Sequence, residues 1–310
     1  SFRYETNMML PSEATLRVGR KRFELFLMPG GKLEVTINLP EIFWSESHLF
    51  GKKENGQLIW FEGTYAALNT ELVKHAGLMN IYSVDHFYEN ICGVTPAQYK
   101  KYVTKIYEKN RGEILKNKSL SDAARTYMIN KLEMSYFFAI RGYKGNISYA
   151  PMISGKKGVK RADMTVDESY YYDILELDFI HSPYIRYGSY PDFVRAATED
   201  FKGKFEPQPV WEDILRAKPL GSTLARLKPL SEKQMLTLDS ISEPEIKKAL
   251  TVKNKEVMDL LAESANKTGY IVCQLDTAVT ADGLLAVVTR PYRGKVVLID
   301  MWNTWCGPCM

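Results

Sequence analysis

Apolar and polar positions alternate with a period of two along the first forty residues. Phe23, Leu25 and Leu27 alternate with Arg22, Glu24 and Phe26, and Leu33, Val35 and Ile37 alternate with Lys32, Glu34 and Thr36. That period is the signature of a strand with one buried face. Pro29-Gly30-Gly31 separates the two runs and supplies turn chemistry. Residues 14–18 read as an earlier strand that turns through Gly19-Arg20. The expectation is a small antiparallel meander. It opens abruptly, so further strands are expected ahead of Ser1.

From about residue 65 to residue 265 the period changes. Ala124, Met128, Leu132, Tyr136 and Ile140 recur every four residues, which places them on one stripe of a helix. Ser119 with Asp122, Thr165 with Glu168, Ser231 with Gln234 and Ser242 with Glu245 have the spacing of capping boxes. Helices are predicted near 66–78, 96–117, 120–141, 167–180, 190–201, 232–240 and 244–264. Residues 142–161 hold four glycines among basic residues and read as a surface loop; neither phosphate-binding glycine spacing is present there. No fixed-period repeat argues for a solenoid. After Gly269 the pattern shifts again. Residues 270–273 form a short apolar run, 282–292 a short helix, and Val296-Val297-Leu298-Ile299-Asp300-Met301-Trp302 a largely apolar stretch of the kind buried on both faces inside an α/β sheet. The fold class expected is α+β. Its parts are an N-terminal antiparallel β unit over 1–62, a large helical region over 63–268, and the start of an α/β segment over 269–310.

Composition narrows the class without naming a function. Forty-one basic against 37 acidic residues leave a net charge of +4 over 310 residues, too little to imply nucleic acid by itself. The charged share of 25% and hydrophobic share of 45% are globular values. No apolar window reaches the roughly 18 residues of a membrane span, and the residues after Ser1 do not form a secretion signal. Four cysteines, Cys92, Cys273, Cys306 and Cys309, are too few for a disulfide framework.

The chemistry concentrates in Trp305-Cys306-Gly307-Pro308-Cys309. Two cysteines separated by two residues at a strand-to-helix turn lie close enough to form a disulfide. A helix beginning at Cys306 would hold that sulfur near unpaired N–H groups and the positive end of the dipole, which favours the thiolate. The thiolate attacks a substrate disulfide, and the second cysteine resolves the mixed disulfide. With its lead-in Gly294-Lys295-Val296-Val297-Leu298-Ile299-Asp300, this stretch resembles the active-site segment of the thioredoxin superfamily. Within that superfamily it is most similar to the TlpA/ResA-like thiol–disulfide oxidoreductases of the bacterial cell envelope. The large strand-then-helix region ahead of it is similar to the extensions of TlpA-type envelope proteins. The resemblance implies Cys306 as nucleophile, Cys309 as resolving thiol and Asp300, six residues ahead of Cys306, as proton acceptor. It implies Trp305, Gly307 and Pro308 as the flanking residues that meet substrate. It further implies periplasmic or envelope localisation, protein disulfides as substrates, a recycling redox partner, anchoring through an N-terminal segment, and no organic cofactor. Only Met310 follows Cys309. The sequence is therefore expected to hold just the opening of such a domain, and these 310 residues alone to be inactive or nearly so.

Other readings of the same residues are weaker. A structural zinc needs about four ligands, and the C-x-x-C is a single pair, so no metal is expected. Cys92 and Cys273 read as buried small hydrophobes, with a disulfide between them left open. Gly93-Val94-Thr95-Pro96-Ala97-Gln98-Tyr99-Lys100 resembles the end of an AraC-type helix-turn-helix. A helix end at Gly93 and a new helix capped by Thr95, with Pro96 in its first turn, explain it more simply. Tyr170, Tyr171, Tyr172, Tyr184, Tyr187 and Tyr190 read either as helix packing with phenols at the surface or as a peptide- or glycan-contacting groove. The runner-up function is a binding or scaffolding module whose helical region contacts a protein or peptide partner.

Overall fold

A computed structural model describes residues 11–46, 56–156, 163–181, 190–201, 203–204, 209–265 and 281–297. The architecture is α+β, mostly helical with two small antiparallel sheets. Strands β1 (Ser12–Val18) and β2 (Lys21–Leu27) pair in a hairpin with Val18 opposite Lys21 and Ser12 opposite Leu27. Strand β3 (Leu33–Ile37) leads into helix α1 (Leu39–Glu46) and pairs with β4 (Ile59–Gly63), Leu33 opposite Gly63 and Ile37 opposite Ile59.

The expected meander is therefore replaced by two separate pairs. The free edge of β2 is taken by a side chain instead of by β3. Asn69, fully buried in α2 (Ala66–Lys74), accepts the Phe26 N–H at 2.7 Å and donates to the Phe26 carbonyl at 3.0 Å. Its amide thus does what a neighbouring strand would do. Phe26, which alternation places with the polar positions, is 6% exposed and packs edge-on against Tyr127 at 5.3 Å. Phe23 and Leu25 face the other way, into a small core with Ile42 and Ile59. Gly63 (φ +92°) ends β4, where a Cβ would come 2.4 Å from the Lys32 carbonyl oxygen; only glycine closes this pair.

The main core belongs to the helices. After a single-turn α3 (Phe87–Asn90), α4 (Pro96–Lys116) lies against α5 (Asp122–Arg141). Thr95 opens α4 with a complete capping box to Gln98. The predicted stripe Ala124, Met128, Leu132, Tyr136 and Ile140 is buried throughout, as the four-residue spacing requires. The helix cap is Ser121 and not Ser119, which instead donates to the Asn117 side chain in a local turn. Likewise Asp167, not Thr165, caps the short 3-10 turn at Glu168–Tyr171.

Within the loop predicted over 142–161, the described residues 142–156 depart from it. They carry helix α6 (Tyr143–Ser154), with Tyr143, Ile147 and Ala150 buried at positions i, i+4 and i+7. A Cβ on Gly142 would meet the Phe138 carbonyl oxygen at 2.9 Å, so glycine here lets α6 begin where α5 ends. The remaining elements are α7 (Tyr172–Leu175), α8 (Tyr190–Asp200), α9 (Pro209–Ala225), α10 (Glu232–Asp239) and α11 (Pro244–Ala265). Ser231 and Gln234 form the predicted capping box of α10. At the start of α11, buried Asp213 from α9 accepts the N–H groups of Ser242 and Glu243 at 3.0 and 2.8 Å, a cap delivered from a distant helix.

The chain divides into compact units at Val257/Met258. In the second unit, the described part beyond residue 265 is α12 (Ala281–Thr289) and a 3-10 turn at Arg290–Tyr292, matching the short helix predicted at 282–292. Val296 and Val297, the first positions of the predicted buried strand, are exposed and not in a strand.

A carboxyl group with a raised pKa, Glu133, is buried in the helical core. Glu133, 1% exposed, accepts the Phe179 N–H at 2.8 Å and the Tyr107 hydroxyl at 3.4 Å. Burial is the largest influence and raises its pKa, assisted by Asp178. The Phe179 N–H, Arg111 and Tyr107 pull it down, without reversing the shift. A carboxyl whose folded pKa lies above its unfolded value destabilises progressively as pH rises from the unfolded pKa to the folded one. Glutamine keeps an acceptor for Phe179 and never ionises. We expect Glu133→Gln to gain on the wild type as pH climbs from about 4, read from urea midpoints across a pH series. A gap that stays constant with pH would contradict this assignment.

Candidate functional site

The predicted redox residues Asp300, Trp305, Cys306, Gly307, Pro308 and Cys309 lie outside the described residues, as does Cys273. Of the four cysteines, Cys92 is placed: a half-buried free thiol that accepts the Ser154 hydroxyl at 3.6 Å. Among the described residues no three His, Cys, Asp or Glu side chains converge on a metal position.

The helix-turn-helix resemblance resolves into local capping. The helix ahead of Gly93 is α3, a single turn of four residues, too short to be a recognition helix in a major groove. Gly93 adopts φ +78° and Thr95 caps α4, as the simpler reading had it.

The tyrosines form buried networks more than a surface. Tyr170 is 8% exposed, and its hydroxyl has no hydrogen-bond partner. Its ring lies 4.9 Å from that of Tyr143 and 5.1 Å from that of Tyr171. Burial pushes the Tyr143 phenol up to about 12, and its hydroxyl donates to the Met164 carbonyl. Lys100 donates to the Tyr170 carbonyl at 2.8 Å and pairs with Asp173 at 2.9 Å. Only Tyr172 of the triplet is exposed; the placement of Tyr184 and Tyr187 lies outside the described residues. Packing accounts for Tyr170 and Tyr171, Tyr172 stays at the surface, and the side chain of Tyr190 also lies outside what the structure describes.

A groove of about 390 Å³ opens beside a different tyrosine, within the roughly 300–1,000 Å³ of ligand sites. Its floor is built from the 3-10 turn at Ile81–Ser83 and from α3, closed by the C-terminal end of α6. Ile81 is fully buried and its N–H is held by Ser135 at 3.0 Å, which anchors the turn on α5. Tyr82 follows it. The Asn146 side chain of α6 donates to the Tyr82 hydroxyl at 3.1 Å and to the Tyr99 hydroxyl at 2.8 Å, and Tyr99 donates in turn to the Ala139 carbonyl. Burial raises both phenols, so Tyr82 stays a neutral hydroxyl at physiological pH. Phe87, nearly fully buried, meets the Tyr82 and Tyr88 rings edge-on at 5.0 and 5.4 Å.

The rim carries charge. His86 takes a left-handed conformation, φ +59°, uncommon for a residue with a side chain. Its Nδ1 pairs with Glu89 at 2.9 Å, and that hydrogen bond is the main reason its pKa is raised. Asp85 stands beside it without a hydrogen bond or ion pair among the described residues. Lys156 donates to the Glu89 backbone carbonyl at 3.2 Å. On the adjoining face of α6, Tyr149, Met152 and Ile153 are 58%, 70% and 54% exposed. Their spacing of three and four residues makes one apolar strip, and Ile153 itself lines the groove. The predicted loop over 142–161 concealed this site. The signal that would have shown it is the Tyr143, Ile147, Ala150 spacing, which is helical despite the glycines. Compared with protein-family profiles, with curated proteins and with solved structures, the chain matches none.

Proposed function

We propose that this chain is part of a thiol–disulfide oxidoreductase of the bacterial cell envelope, with Cys306 and Cys309 as its redox pair. The observation that carries the reading is the Trp305-Cys306-Gly307-Pro308-Cys309 motif behind an apolar run containing Asp300. The Cys306 thiolate attacks one sulfur of a substrate disulfide, forming a mixed disulfide and releasing the other sulfur as a thiolate. Cys309, its proton taken by Asp300, then attacks the Cys306 sulfur. The second substrate thiol leaves, and a Cys306–Cys309 disulfide remains. The substrate gains two electrons, and a partner dithiol returns them to the enzyme, itself becoming a disulfide. Trp305, Gly307 and Pro308 flank the nucleophile and meet the substrate.

The second reading, a binding module in the helical region, is favoured by the groove between residues 82–89 and α6. The two are separated by insulin-disulfide reduction with the protein expressed from its complete gene, measured beside its Cys306→Ser form. Cysteine-dependent turnover lost in the serine variant supports the redox reading. Equal rates for the two proteins leave the binding reading alone.

A further inference from the structure

We propose that the groove docks an extended polypeptide segment that presents an arginine or lysine beside an apolar side chain. This rests on the binding reading of the helical region and not on the redox pair. The argument starts from unspent hydrogen-bonding capacity at the rim. Asp85 makes no hydrogen bond or ion pair among the described residues, and Glu89 uses only Oε2, on His86. The backbone carbonyl of Glu89 already holds Lys156, so this cation is directed at the main chain; Asp85 and the second carboxylate oxygen of Glu89 are left without a hydrogen-bond partner among the described residues. The described rim thus keeps carboxylate oxygens able to accept, and their complement is a donor-rich cation. Among the described residues no three ligating side chains converge here.

The floor selects what accompanies it. Val84, Phe87 and Ile153 line the groove, and the strip Tyr149, Met152 and Ile153 continues out of it along α6. Exposed apolar residues in a contiguous, polar-rimmed strip mark an interaction surface more than a scattered few do. Tyr88 lines the groove as well, and an aromatic ring is a partner that a guanidinium accepts. Tyr82 lines the groove too; its hydroxyl accepts from Asn146 and keeps one proton to donate. Cation, apolar side chain and backbone acceptor are the three features that a stretch of polypeptide supplies together.

The test is fluorescence anisotropy of short labelled peptides with the full chain, in three versions: leucine with arginine, leucine with glutamate, and serine with arginine. The first is expected to bind, with the other two at least about tenfold weaker. Asp85→Lys and Ile153→Asp both change exposed or half-exposed positions, and unaltered circular dichroism and melting temperature show that each remains folded. Each is expected to weaken the first peptide by about tenfold. Peptide binding that survives both variants overturns the groove while keeping the helical region as a binder. Absence of binding by all three peptides overturns both. Binding to anionic phosphatidylglycerol vesicles that is lost on Met152→Ser, with no peptide binding, would make the strip a membrane contact and overturn the proposal.

Discussion

Phe137→Ala is expected to cost about 3–5 kcal/mol, enough to exhaust much of a typical domain's stability. Phe137 is fully buried in α5 and stands at the centre of an aromatic cluster. Phe193 of α8 lies 4.8 Å from it at 77°, Phe201 5.9 Å at 70°, and Phe179 6.3 Å at 69°. Phe193 in turn contacts Phe179 at 4.5 Å and Trp211 of α9 at 5.6 Å. Edge-to-face pairs of this kind add to simple burial. Removing the ring therefore loses transfer energy, leaves a cavity, and unlinks α5 from α8 and from the 3-10 turn at Asp178–His181. Phe137→Leu, which keeps most of the volume, is expected to cost less than half as much. Because Phe179 is also held by Glu133 one turn away, Phe137→Ala and Glu133→Leu are expected to be non-additive. Urea denaturation of the single and double variants measures both statements. A Phe137→Ala cost below about 1 kcal/mol would mean that the cluster closes over the gap.

The elements that were legible in the sequence are those in which local chemistry and tertiary demand agree. Thr95-Pro96 with Gln98, and Ser231 with Gln234, specify helix starts by themselves, and both are capping boxes in the structure. The Ala124 to Ile140 stripe needs only a partner surface, which α4 supplies. Less legible were the contacts that a distant residue completes: α11 was expected at 244–264 and runs Pro244–Ala265, but its cap could not be read. Asp213 caps α11 from α9, and no spacing around Ser242 reveals a residue 29 positions earlier. Strand β4 pairs with β3 across α1, a partnership that register alone does not disclose. Helix α6 was hidden for a different reason. Gly142 and Gly145 lower local propensity, while Tyr143, Ile147 and Ala150 recover it through burial, so packing outweighed composition.

The same contrast governs the functional residues. The cysteine pair is read from contiguous chemistry, since Trp305 to Cys309 carries its own spacing. The groove has no such signature. It brings together Tyr82, Asp85 and Glu89 with Ile153 and Ser154 from nearly seventy residues later, and Asn146 of α6 ties Tyr82 to Tyr99 behind it. A largely helical fold can create such a site wherever a one-turn helix and the end of a longer one meet.

The deepest of these long-range substitutions is Asn69, and its replacement by leucine is expected to cost about 2–5 kcal/mol. Leucine has a similar volume and suits a helix interior, so neither packing nor propensity accounts for the loss. What disappears is the pairing of the Phe26 N–H and carbonyl, and each buried backbone group left unpaired costs about 1–3 kcal/mol. The Asn69 amide also donates to the Tyr65 carbonyl at 3.0 Å, where the chain enters α2 with φ +61°. Asn69→Asp separates charge from hydrogen bonding. Its carboxylate would still accept from Phe26 but would face two carbonyl oxygens in a buried position, so its folded pKa must rise above the unfolded value. Ionisation is then the destabilising event. The aspartate variant is expected to lose stability as pH rises from about 4 toward 7, whereas the leucine variant is displaced from wild type by a constant amount. Denaturant midpoints at both ends of that range decide it. Were Asn69→Leu to fall within about 0.5 kcal/mol of wild type, the edge of β2 would have to be satisfied by something other than this amide. The exclusion of β3 from the first sheet would then need another cause.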